Sequence, residues 1–169
     1  FTVEHRNGAA VGYALVEYER RGRFDPDLAR ELGIPEGPLW GRIHKGESIT
    51  LENGNVIAPS VLVGPTRSGR TIVITGDTRP CAATIEAATN ADLLIHQATF
   101  GDEDQTRAAE TMHSTAREAA TVAKMAGVRT LVLTHFSARY SRDTSELAAE
   151  ARAAFTGTLL MAKDGMEID

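Results

Sequence analysis

The sequence predicts an α/β fold, on three observations. From Arg70 onward, short apolar runs alternate with helical stretches; the helical stretches start and stop on capping residues; and the apolar runs end on polar side chains at a common edge. The 169 residues suit one globular domain, and an apolar share of 42% is enough to fill a core.

The opening FTVEHRNGAA reads as the middle of a strand and turn, so the natural N-terminus is expected upstream of Phe1. VGYALVEY, residues 11–18, reads as a strand, followed by the basic stretch ERRGR. In DPDLARELG, Asp25 is placed as N-cap, Pro26 at the first helical position and Gly33 as the stop. Residues 34–69 are dense in Gly and Pro, with a hairpin-like SITLENGNVI and breaks at Pro59 and Pro65, which suggests an excursion from the core. RTIVIT (70–75) is a strand, followed by a helix through Glu86 with Cys81 in its first turn; ADLLI (91–95) is the next strand. A helix from Ser114 to Ala126 follows, with Thr115 and Glu118 spaced as a capping box and Gly127 as stop. RTLVLT (129–134) is a strand, Asp143 with Glu146 opens a helix to about Phe155, and TLLMAK with GMEI forms a last strand pair.

A formal charge of -5 gives no global attraction to nucleic acid, so a polyanion would need a local basic cluster or a metal. Cys81, the one cysteine, cannot form an internal disulfide, and a packed helix cysteine is its simpler reading. No stretch resembles a membrane span or signal segment, so a cytoplasmic location with no membrane partner is expected.

The chemistry lies at strand ends. Asp77 falls just past RTIVIT, His96 just past ADLLI and His135 just past RTLVLT, at the edge where α/β sheets bind ligands. His113 precedes a helix start and can point into the same space, and Ser114 beside it is explained as a helix cap. A single histidine after a strand is often a surface residue satisfied by backbone; three metal-capable side chains at one edge fit that account less well. Asp and His are zinc donors, the carboxylate being able to bridge two ions. His44 lacks this context and reads as solvated.

GDTRPC at 76–81, LLIHQATF at 93–100, HSTA at 113–116 and LTHFSARY at 133–140 closely resemble the C-terminal motifs of the ribonuclease Z family, tRNA 3'-processing endonucleases of the metallo-β-lactamase superfamily. VEHRNGAAVGYALVE and GIPEGPLWGRIHKGESITLENG resemble that family's approach to, and passage through, its protruding arm. The resemblance implies the C-terminal half of a metallo-β-lactamase-type αβ/βα sandwich, a partial domain over 1–169 with 20–64 as the tRNA-binding arm. It makes His5 a ligand of a first zinc ion, Asp77 the bridge, His135 a ligand of a second, and His113 the catalytic histidine near the scissile phosphate. Where the family reads His-Glu-Ala-Thr, His96 is followed by Gln97, which could orient His113 only as a neutral hydrogen-bond partner. The family's His-x-His-x-Asp-His motif does not occur in this sequence, so the chain is expected to be a fragment, inactive alone.

The resemblance also implies two zinc ions, a precursor tRNA substrate and a homodimer whose arm serves the tRNA held by the other subunit. Arg20, Arg21, Arg23, Arg30, Arg42 and Lys45 would then contact phosphates while Gly37 and Pro38 fix the arm's turn. Without the resemblance, the interleaved Asp25, Asp27, Glu31, Glu36 and Glu47 make the same stretch an ordinary solvated face. Arg139 is either a phosphate contact or the partner of a carboxylate. Two rival readings remain: a small-molecule phosphodiesterase or hydrolase of the same superfamily, which would have no use for a basic arm, and a non-catalytic RNA-binding or dimerisation fragment.

Overall fold

The computed structural model describes residues 1–6 and 10–168, which form two compact units: Phe1–Val16 with Arg70–Asp169, and Glu17–Gly69. The turn read near residue 8 lies outside the described residues. The first unit opens with strands β1 (Thr2–Val3) and β2 (Ala10–Val11), paired antiparallel, then β3 (Tyr13–Val16). The strand expected over 11–18 is thus divided at Gly12, where a Cβ would fall 2.3 Å from the Phe1 ring.

In the second unit, α1 (Pro26–Glu31) begins as expected, with the Asp25 carboxylate accepting from Asp27 N and Leu28 N. Two helices lie where Gly and Pro suggested only irregular chain: α2 (Pro38–His44) and α3 (Pro59–Leu62). Both have proline in the first turn, where no backbone N–H is required, so proline starts these helices rather than breaking them. Between them β4 (Ile49–Thr50) and β5 (Val56–Ile57) form the expected hairpin. Ala29, Ile34, Ile43, Ile49 and Leu62 make this unit's own core, and Trp40 closes it with an indole hydrogen bond to Ile34 O.

The chain then returns to the first unit. β6 (Thr71–Ile74), α4 (Ala82–Ala87), β7 (Leu93–Gln97), α5 (Gln105–Thr111), α6 (Ala116–Ala126), β8 (Thr130–Thr134), α7 (Ser145–Ala154) and β9 (Thr158–Met161) follow in order. The sheet order is β3-β6-β7-β8-β9, with β3 antiparallel to β6 and the others parallel, so the sheet is mixed. Parallel register aligns Leu94 with Leu131 and His96 with Leu133 on one face. With Val73, these leucines pack against Ala119, Ala120 and Ala123 of α6 and Leu147 and Ala151 of α7. Alanines on both helices allow close approach, and truncating a fully buried leucine such as Leu131 would cost about 2–5 kcal/mol. The Thr115–Glu118 capping box is formed, and Gly127 ends α6 in the left-handed region at φ 68°.

Three expected boundaries differ. Cys81 is the N-cap of α4, buried with its sulfur 3.2 Å from Thr84 Oγ1, because Pro80 holds the preceding chain extended. Helix α7 is capped by Thr144, while the Asp143 carboxylate accepts from Ser145 N and Ser145 Oγ. Residues 165–168 form no strand: the pairing of β9 with β8 ends at Met161, and a turn at Gly165 follows. Among the described residues no helix is long and apolar enough to cross a membrane.

Candidate metal centre

Four side chains meet at the carboxyl edge of the sheet. Asp77 follows β6, His135 follows β8, and His113 lies between α5 and the Thr115 cap of α6. His5 arrives from β1, whose end is fixed by the Glu4–Arg79 bridge and by Glu4 N donating to Thr78 Oγ1 at 3.1 Å. His135 takes a left-handed conformation, φ 57°, that turns its ring away from the line of β8.

Ligand-capable atoms of His5, Asp77 and His113 all lie within 4.8 Å of one another. His135 Nε2 is 3.5 Å from Asp77 Oδ1. The His113 ring stacks on His135 with centroids 5.3 Å apart and lies 5.0 Å from His5. Backbone and side-chain partners occupy the other nitrogens: His5 Nδ1 is 2.8 Å from Met112 O, and His135 Nδ1 is 2.9 Å from Thr99 Oγ1. A histidine whose Nδ1 is held by an acceptor keeps its Nε2 lone pair for a metal, so His5 and His135 can each offer a donor beside Asp77, and the His/Asp chemistry of the cluster suits a metal ion. At His113 several influences compete: burial pushes its pKa down, the Asp77 charge opposes that shift, and His135, His5 and Arg6 reinforce it.

Three expectations need correction. His96 does not join the cluster: β7 runs through Gln97, so His96 shares the helix-covered face with Leu94 and is fully buried. Its Nδ1 donates to Gln97 O at 2.7 Å, and burial lowers its pKa to about 4. Gln97 does not hold His113; its amide is engaged by Thr78 O and by Thr99. Ser114 is not the α6 cap, a place Thr115 takes; its hydroxyl donates to Thr78 O.

Elsewhere, Arg139 is ion-paired with Asp104 and with Glu103. His44 is exposed, with Nε2 3.1 Å from Gly22 O. Within Glu17–Gly69, Arg20 faces Glu17, Arg21 donates to His44 O, Arg30 pairs with Asp27 and Arg42 with Glu47. Gly37 is the N-cap and Pro38 the first residue of α2, and Arg23 and Lys45 are exposed. Sequence reasoning missed Thr99 and Arg79, which touch the cluster from outside it; only their place within LLIHQATF and GDTRPC hinted at them.

An α/β sheet with a His/Asp cluster at its carboxyl edge defines a class of metal-site proteins, and residues 42–136 match the beta-lactamase superfamily domain. The chain belongs to that superfamily. Among curated proteins it is similar to the ribonuclease Z of Gemmatimonas aurantiaca, at 68% identity over the whole chain and 54% of that protein, and to that of Myxococcus xanthus, at 53% identity over 99% of the chain and 54% of that protein. The chain spans about half the length of the curated relatives it matches. Among solved structures, the metallo-beta-lactamase fold protein YhfI from Bacillus subtilis is 35% identical, with a TM-score of 0.51 over 57% of this chain and 39% of that one.

Proposed function

We propose that this chain is part of a ribonuclease Z-type, zinc-dependent endoribonuclease that removes the 3' trailer from precursor tRNA and leaves a tRNA 3'-hydroxyl. The observation that carries this reading is the meeting of His5, Asp77 and His113 from three separate segments, with His135 3.5 Å from Asp77 and stacked on the His113 ring, in a chain similar along its whole length to ribonuclease Z. His5 would bind the first ion, Asp77 bridge both, and His135 bind the second, with the remaining ligands supplied by the rest of the longer protein. Two zinc ions, when bound, supply the Lewis acidity that activates water and offsets charge on the phosphate. His113, beside both imidazoles, would protonate the leaving 3'-oxygen. Residues 20–64 would hold the tRNA by its phosphates, and self-association in the cytoplasm would let each arm serve the partner's substrate.

The test is cleavage of a 3'-extended tRNA by the intact protein, at the length of its relatives, and by its Asp77→Ala variant. Cleavage by the parent, with a 3'-hydroxyl on the tRNA product and near-complete loss in the variant, supports the reading. Equal rates would remove Asp77 from the mechanism. Turnover of a small phosphodiester with no action on tRNA would select the small-molecule hydrolase instead.

A further inference from the structure

Beneath the four cluster side chains runs a second tier of polar groups that is buried. Thr78 O receives two donors, Gln97 Nε2 at 2.5 Å and Ser114 Oγ at 2.8 Å. A carbonyl only accepts, so the nitrogen of the Gln97 amide must face it. Gln97 Oε1 then faces the other way, where it accepts from Thr99 N at 3.3 Å and from Thr99 Oγ1 at 2.7 Å. The single hydroxyl proton of Thr99 is committed to that bond. Its 2.9 Å contact with His135 Nδ1 can therefore be made only as Nδ1–H donating to Oγ1. In a neutral ring this leaves the lone pair on Nε2, the atom 3.5 Å from Asp77. Thr78, Gln97 and Thr99 are all buried, at 0%, 1% and 8% exposure, so water does not compete readily for these bonds.

The geometry points to Gln97 and Thr99 as positioning residues that fix the tautomer and orientation of His135 for a metal ion, and that hold the Asp77 segment through the Thr78 carbonyl. This rests on reading His135 and Asp77 as metal ligands. The relay has a direction, since each donor sets the role of the next group from Thr78 O to His135. An ionised glutamate at position 97 could still accept from Thr99 but has no proton for Thr78 O. The amide therefore does something specific in this chain: it joins the segment after β6 to Thr99, which in turn reaches the segment after β8, so the two segments carrying different candidate ligands are linked through it. Outer groups of this kind commonly change metal affinity by about 10–100-fold when removed.

The experiment uses the intact protein and zinc as the probe. Zinc affinity is measured by competition with a chromophoric chelator for the parent, Thr99→Val, Thr99→Ser and Gln97→Met, and the thermal midpoint of each metal-free form serves as the folding control. Thr99→Val and Gln97→Met should weaken zinc binding by about 10–100-fold, while Thr99→Ser, which keeps the hydroxyl, should stay close to the parent. Long-range proton–nitrogen correlation spectra of the parent should place the His135 proton on Nδ1. A folded Thr99→Val with unchanged zinc affinity overturns the inference, as does a His135 proton on Nε2 in the metal-free parent. Should Thr99→Val fail to fold, the parent's tautomer decides. A parent that binds no zinc defeats the metal-centre reading itself, whereas bound zinc insensitive to Thr99 defeats only the relay; neither result depends on whether tRNA is cleaved.

Discussion

The Arg79 guanidinium closes a two-point ion pair on Glu118, Nη1 to Oε2 at 2.7 Å and Nη2 to Oε1 at 2.5 Å, and Nη1 also donates to His113 O at 2.6 Å. Glu118 Oε2 at the same time accepts from Thr115 N in the α6 capping box. Arg79 N donates to Glu4 O at 2.7 Å, so one residue just past Asp77 ties together the segments that carry His5 and His113. The pair is mostly shielded, with side chains 20% and 17% exposed, so it should count for more than a surface ion pair. Arg79→Met is expected to destabilise the protein by about 1–3 kcal/mol in urea unfolding, because it leaves the Glu118 charge without its fork. Arg79→Lys should recover only part of that, since a lysine keeps the charge but not the bidentate geometry. A loss no larger than that of an exposed pair would show that the fork does not brace this edge.

His96 predicts an acid limit to stability. Burial lowers its folded pKa from 6.5 to about 4, so the unfolded chain takes up a proton between those values and the folded chain does not. The contribution is therefore fully present above about pH 6.5 and is lost as pH falls toward about 4, roughly 3 kcal/mol across the window. Urea midpoints at several pH values should fall over that range for the parent, and the fall should be shallower in His96→Leu. Parallel slopes in the two proteins would mean that His96 is not held neutral.

Much of the sheet was legible because β6, β7 and β8 carry apolar runs that parallel strands bury, and α6 carries its own cap and stop. What failed was the end of β7: polarity at His96 and Gln97 looked like a strand end, yet pairing with Leu133 and Thr134 continues through both. Helices α2 and α3 were hidden by the same prolines that start them. His5 could not be placed from pattern because β1 is two residues long and exists through tertiary pairing; only resemblance pointed to it. Thr99 was illegible for a different reason: its role depends on a proton committed across three segments, which no local period encodes.

His113 offers two roles that one substitution separates. One of its nitrogens lies within reach of His5 and Asp77, as a ligand's would, while its ring stacks on His135, as a proton-transferring neighbour's would. On the proposed reading, His113→Ala in the intact protein should lower the single-turnover cleavage rate of a 3'-extended tRNA by about 10²–10⁴-fold. Zinc content, measured by metal analysis after dialysis, should remain that of the parent. Loss of zinc together with the activity would make His113 a ligand instead.

The cations of Glu17–Gly69 set the last expectation. Arg21 rests on a backbone carbonyl and Arg42 on the exposed Glu47, while Arg23 and Lys45 are exposed. An exposed ion pair contributes only about 0–1 kcal/mol, so exchanging a carboxylate for an RNA phosphate costs little. Each phosphate neutralised in this way releases condensed counterions and steepens the salt dependence of binding. On the proposed reading, replacing Arg21, Arg23, Arg42 and Lys45 together by glutamine in the intact protein should therefore weaken precursor tRNA binding at moderate salt. It should also flatten the plot of log affinity against log salt, by about 0.7–0.9 for each phosphate that the variant no longer neutralises. On that reading, any hydrolysis of a small phosphodiester by the intact protein would not use residues 20–64 and should keep its rate. An unchanged salt slope in the quadruple variant would mean that these side chains face water and not the tRNA backbone.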